Sequence, residues 1–211
     1  MGLAGIILAA GESTRMGRDK ALLPWPPNLP PNTPSGGTLL SAAIKALSDY
    51  CDLVIIVAGK NETALRPVIY GCGAFLALNP NPDLGQFSSL QVGLHEVLNQ
   101  GRDAAMVTLV DRPPPQSTSL QALTSAFANR NHDVWSVVPE YQGKHGHPIL
   151  IGREMIETFL RAPNTATARE IEHQHQHNIE YVPVADPFVT VNVDTPEDYA
   201  ALSASFSSQS K

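Results

Sequence analysis

Gly11, Ser13, Arg15, Gly17 and Lys20 stand close together, directly after an apolar run over 3–8. Such a run reads as a buried strand, and an open α/β sheet takes its ligands where its strands end. Backbone N–H groups freed at the two glycines, with the Arg15 guanidinium and the Lys20 ammonium, make a cradle for several phosphate charges. Counting excludes two familiar phosphate loops. A Walker loop needs a lysine directly after its second glycine, whereas Arg18 follows Gly17 and the lysine comes at 20. A dinucleotide fingerprint needs G-x-G-x-x-G, and Ser13 stands two positions after Gly11.

Four further places hold residues with chemical potential. Asp111 closes the apolar stretch 107–110 and is followed by Arg112 and Pro113. A carboxylate at such a strand end can hold Mg²⁺, which takes one or two carboxylates together with phosphate oxygens and water. It can equally be a turn former or a helix cap. Near the C-terminus an apolar-alternating run over 189–193 leads into Asp194, Thr195, Pro196, Glu197 and Asp198. Thr195 as N-cap, Pro196 at the first helical position and Asp198 at the capping-box position account for most of this acidity as a helix start. Asp194 is left without a local task. Ser88 and Ser89 follow Gly85 at the start of a helical pattern, where hydroxyls commonly cap. His147 follows Gly143 and Gly146 in a turn before a strand, a setting that also suits a surface or packing histidine.

The run from Leu8 to Pro24, L-A-A-G-x-S-x-R-M-G-x-x-K-x-L-L-P, resembles the signature of the MobA-like nucleotidyltransferases, especially their molybdenum cofactor cytidylyltransferase branch. Three later stretches, around 79–94, 143–148 and 192–199, resemble the other motifs of that family in the same order. The resemblance implies that Leu8, Ala9, Ala10, Gly11, Ser13 and Gly17 wrap the phosphates of a nucleoside triphosphate, with Arg15 and Lys20 countering their charge. It implies Mg²⁺ as cofactor, held by Asp111 and Asp194, and a nucleoside pocket at Gly85, Ser88, Ser89 and Leu90. His147 falls on the acceptor side. Asn192 replaces an aspartate that many relatives carry, which removes a charge from that position. Ala10 suggests CTP as donor and the molybdopterin form of molybdenum cofactor as acceptor, with a molybdenum hydroxylase as downstream partner. Another nucleotide, a sugar or polyol phosphate acceptor, or a non-catalytic cofactor-binding chaperone are the alternatives.

The totals agree with an enzyme of this kind. The 211 residues suffice for one domain with a substantial core, and 43% hydrophobic with 16% charged residues is ordinary for a globular chain. A net charge of −6 argues against non-specific nucleic-acid binding. No apolar run approaches the roughly 20 residues of a membrane helix. Nothing resembles a signal peptide, and two cysteines without CxxC spacing read as reduced, half-buried thiols, so the expectation is a cytoplasmic protein.

These residues need a scaffold. Strands are expected at 5–9, 53–58, 74–77, 104–110, 134–139, 147–151, 179–183 and 189–193. Helices are expected at 39–47, 88–98, 120–128, 153–160, 166–175 and 196–203. Leu40, Ala43, Ile44 and Leu47 show the spacing of a buried helical face. The alternation predicts an α/β, Rossmann-like three-layer fold, mainly parallel with a small antiparallel addition. The chain reads as a single domain over 1–211. Six prolines over 24–37 mark an insertion, either a stiff surface loop or a lid, and 206–211 reads as a disordered tail.

Overall fold

A computed structural model describes residues 2–27 and 37–208. The centre of the proline-rich stretch, 28–36, and the last three positions, 209–211, lie outside the described residues. In chain order the strands are β1 (Leu3–Leu8), β2 (Pro24–Trp25), β3 (Gly37–Thr38), β4 (Leu53–Ala58), β5 (Phe75–Leu78), β6 (Ala104–Leu109), β7 (Ser136–Tyr141), β8 (Lys144–His145), β9 (Ile149–Gly152) and β10 (Ile179–Pro183). The helices are α1 (Leu39–Ser48), α2 (Glu62–Gly71), α3 (Gln86–Asn99), α4 (Ser117–Asn129), α5 (Arg153–Arg161), α6 (Ala168–Gln174) and α7 (Pro196–Ser208).

The main sheet runs β10-β7-β9-β6-β1-β4-β5, with β8 paired to β7. β1, β4, β5 and β6 are mutually parallel, and β9 runs against both β6 and β7. The antiparallel addition is therefore β9, with β8, inside an otherwise parallel sheet. The central strands are apolar on both faces, as parallel strands covered by helices must be. Ala4, Ile6 and Leu8 pack with α3, α5 and α6, while Ile7 joins the core under α1, α2 and α4. Three layers result.

Strand order creates the ligand crevice. From β1 the chain moves outward to β4 and β5, then returns to lay β6 on the other side of β1. The carboxyl ends of β1 and β6, at Leu8 and Leu109, thus form a switch point where the flanking loops part. Both sequence landmarks, the glycine loop and Asp111, leave the sheet there.

Several expectations need correction. The stretch 189–193 is not a strand. Pro187–Thr190 forms one 3-10 turn capped by Asp186, whose carboxylate accepts from the Phe188 N–H. The backbone here bonds at isolated points, Val189 accepting from His147 and Val193 donating to Asp111, and no ladder forms. Positions 206–208 of the expected disordered tail are helical, because α7 continues through them and Phe206 packs edge-on against Trp25, with ring centroids 5.1 Å apart. Helix α2, which the sequence reading leaves unassigned, contains Pro67 and buries only Leu65 and Ile69. Cys51 is half-buried as expected, with burial pushing its thiol up to about 12, but Cys72 is exposed. No helix among the described residues is long and apolar enough to cross a membrane.

Helix α3 leaves little room over the sheet at Gly93. A Cβ there would sit 3.0 Å from both Ile6 Cγ2 and Val57 Cγ2. Replacing glycine gains at most about 1 kcal/mol of helix propensity. Overpacking a filled core costs about 1–3 kcal/mol. Gly93→Val is therefore expected to lower Tm by several degrees in a thermal melt, and an unchanged or raised Tm would show that the interface is slack.

Candidate active site

The loop after β1 is anchored by its apolar residues. Met16 and Leu23 are buried with Leu39, Val193 and Leu202, which ties the loop to both α1 and α7. Between these anchors Lys20–Leu22 forms a 3-10 turn capped by Asp19, whose Oδ1 accepts from the Ala21 N–H at 2.9 Å. Asn61 braces the turn by donating to Asp19 Oδ2 at 2.7 Å and to the Ala9 carbonyl at 2.9 Å. Ser13 has a positive φ of 51°, and its Oγ accepts from the Lys20 N–H at 3.1 Å. The side chain of Lys20 is thereby aimed inward.

Its ammonium meets both acids. Lys20 Nζ lies 2.6 Å from Asp194 Oδ1 and 3.8 Å from Asp111 Oδ2. Arg15 is much more exposed and reaches Asp194 Oδ1 at 3.7 Å. The C-terminal acid is held in place by the expected cap. Asp198 Oδ2 accepts from the backbone N–H groups of Asp194 and Thr195, and Thr195 Oγ1 accepts from the Asp198 N–H. These bonds hold the Asp198 carboxyl below its ordinary range. Val193 also donates to the Asp111 carbonyl at 2.8 Å, so the two acid-bearing segments touch through their backbones.

Burial pushes the Asp111 carboxyl up, against the downward pull of Lys20 and Arg112, and the Asp194 charge adds to the rise. Its Oδ1 is buried and has no hydrogen-bond partner. An orphaned carboxylate oxygen beside a second acid is the donor set that a phosphate-bound hard cation uses. The residues present therefore fit a divalent metal.

Next to this cluster opens a cleft of about 300 Å³ lined by Leu8, Ala10, Gly11, Ser13, Lys20, Pro82, Gly85, Gln86, Ser89, Leu109, Val110 and Asp111. Most residues expected to bind nucleotide are in this wall. Four are not. Ala9 is buried and Gly17 lies outside the lining. Ser88 turns inward, where it accepts from Asn79 at 2.9 Å and donates to the Gly85 carbonyl at 2.7 Å. Leu90 lines a neighbouring cavity of about 430 Å³, which shares Leu8, Gly85, Gln86 and Leu109 with the first. Asn79, which opens the 79–94 stretch but was not among the expected pocket residues, also donates to Ser89 at 2.9 Å and so staples the loop to α3. Its place at the head of the 79–94 stretch, directly before Pro80, was the available signal. Arg112 was missed too: it is half-buried, donates to the Val189 carbonyl at 3.2 Å, and leaves a buried Nε unpaired.

The MobA-like NTP transferase domain model matches residues 5–179 of the chain. The chain belongs to the MobA-like NTP transferase family. It is accordingly a nucleotidyltransferase by family, with an Asp194 that lies beyond the matched span. The molybdenum cofactor cytidylyltransferase of Escherichia coli is 26% identical over 92% of each chain. A probable molybdenum cofactor guanylyltransferase of Rhodopirellula baltica is 31% identical over 93% of this chain and 89% of its own. Among solved structures, Rv0371c of Mycobacterium tuberculosis in complex with manganese superposes with a TM-score of 0.76 at 24% identity, covering 97% of this chain and 100% of that one.

In this MobA-like transferase His147 borders the neighbouring cavity and is not part of the wall of the cleft at Lys20 and Asp111. Gly146 before it sits so close to the Val189 carbonyl that any Cβ would overlap it, which is why glycine stands there rather than for a turn. Burial of the His147 ring and then the Arg112 charge push the imidazole down to about 3, opposed by the Val107 carbonyl 3.4 Å from Nδ1. The imidazole is thus neutral at pH 7. A histidine depressed from 6.5 to about 3 gives stability that is whole above 6.5 and is lost as the pH falls toward 3. The difference in unfolding free energy between wild type and His147→Gln is expected to shrink with acid below 6.5, by up to about 1.4 kcal/mol per pH unit. Denaturant titrations from pH 7 to 4 check this, and a constant difference would show an accessible, ordinarily titrating ring.

Proposed function

We propose that this enzyme transfers CMP from CTP to the phosphate of a molybdopterin-type molybdenum cofactor and releases pyrophosphate. The carrying observation is the convergence of Lys20, Asp111 and Asp194 at the mouth of a cleft between the carboxyl ends of β1 and β6. The acceptor phosphate oxygen attacks the α-phosphorus in line, the new P–O bond forms, and the bond to the β-phosphate oxygen breaks. An acceptor phosphate is already anionic at neutral pH, so the site needs positioning and charge neutralisation and no side-chain base.

The chain's residues divide that work. Gly11 and Ser13 present backbone around the β- and γ-phosphates, Gly17 shapes their loop from outside the cleft wall, and Lys20 with Arg15 neutralises the departing pyrophosphate. Asp111 and Asp194 would hold Mg²⁺, which when bound offsets the negative charge gathered on the phosphates. Gly85, Ser89 and Leu90 flank the nucleoside, while Ser88 shapes their loop. His147 lies on the acceptor side. The reaction belongs in the cytoplasm, and its product suits a molybdenum hydroxylase.

CTP rests on Ala10 in the L-A-A-G run and on the cytidylyltransferase relative. GTP is the competing donor, because the guanylyltransferase relative is the more identical of the two over a similar span. Pyrophosphate release from CTP, GTP, ATP and UTP with molybdopterin is expected to favour CTP. Asp111→Ala should keep its circular dichroism spectrum and lose about 10²–10³ in turnover, the cost of removing one transition-state electrostatic contact. Full activity in that variant would overturn the reading.

A further inference from the structure

Beyond His147 the crevice continues into a broader hollow of about 1030 Å³. Glu172, on α6, lines both this hollow and the cavity at Leu90. Its neighbour Ile171 is buried in the core and fixes the helix, which leaves Glu172 at the groove wall. The Glu172 carboxylate makes no hydrogen bond or ion pair among the described residues, although Arg169 and His147 share the wall. Neither of its oxygens is sealed from the groove. Burial nevertheless pushes the carboxyl up to about 7, so its charge lacks compensation.

A flat aromatic surface stands beside it. Tyr181 stacks on His145 with ring centroids 3.9 Å apart and planes 14° from parallel, and both rings line the same hollow. The Glu172 charge raises the Tyr181 hydroxyl, after burial, which places the carboxylate near that stack. A carboxylate offers two acceptor oxygens and suits a pair of adjacent N–H donors. A planar ring carrying a ring N–H next to an exocyclic amino group has that pair along one edge and a face for the aromatic stack.

We propose that Glu172 and the Tyr181–His145 stack form the specificity pocket for a flat amino-oxo heterocycle, the chemical class of the acceptor's pterin ring. The assignment rests on the acceptor reading above. Glu172 takes the N–H pair of the ring edge, and the stack supports its face. Neither group touches the reacting phosphates.

Free rings test this without nucleotide or metal. Pterin carries the 2-amino group, and lumazine has an oxygen in its place. In a fluorescence titration the full chain is expected to bind pterin at least about tenfold more tightly than lumazine, the scale of a hydrogen bond to a charged group. Glu172→Gln, nearly isosteric, should bring the two affinities together, and Tyr181→Leu should weaken both alike. Equal affinities in the wild type, no binding of either ring, or a preference that survives Glu172→Gln would overturn the pocket. Ring preference is measured apart from pyrophosphate release. A chain that transfers nucleotide yet ignores the amino group refutes the pocket alone, and one that reads the ring but releases no pyrophosphate refutes the activity.

Discussion

Lys20 holds the site together electrostatically. Asp111 and Asp194 come from segments that touch through their backbones; burial raises the Asp111 carboxyl, and the Asp194 charge adds to that rise. Two such carboxylates at the edge of a low-dielectric sheet repel unless a cation lies between them. The Lys20 ammonium supplies it, 2.6 Å from one acid and 3.8 Å from the other. Sequence positions 20, 111 and 194 are thereby joined, and much of the surrounding architecture serves to make that meeting possible. The strand switch brings loop and acid to one crevice, the Thr195–Asp198 cap sets Asp194, and the small apolar cluster beneath Met16 and Leu23 fixes the loop on α7.

Under the proposed function, the same arrangement separates phosphate handling from acceptor recognition. Cations and the paired acids occupy the β1–β6 end, where small residues let a ligand approach the backbone. The β7–β9 side is different in character, with a neutral imidazole at His147, the Tyr181–His145 stack and an uncompensated Glu172. The antiparallel strand β9 connects these regions. It places His147 next to Val107, on the strand that leads to Asp111.

The residues from Leu8 to Pro24, Asp111 and the helix start at Thr195 were legible because each has a type-specific local task at a fixed spacing. Parallel strands β1, β4 and β6 were legible as continuous apolar runs. Other features carry no such mark. The alternation of Val189, Val191 and Val193 has a strand's period, yet no neighbouring strand offers a ladder, and Pro187 with Asp186 winds the chain instead. Helix α2 is obscured by Pro67 and by an apolar face reduced to Leu65 and Ile69. Ser88 reads as a pocket hydroxyl until Asn79 and the Gly85 carbonyl are seen to occupy it. Gly146 is required by the nearness of Val189, a contact between distant segments, and Glu172 draws its character from burial that local sequence does not encode.

The central claim is that Asp111 and Asp194 jointly hold a divalent cation at the phosphate cradle. Manganese binding in the presence of CTP, followed by electron paramagnetic resonance, measures it directly. The account predicts saturable binding in the wild type that weakens at least about tenfold, or about 1.4 kcal/mol, in both Asp111→Asn and Asp194→Asn. Manganese affinity unchanged in both variants would contradict it.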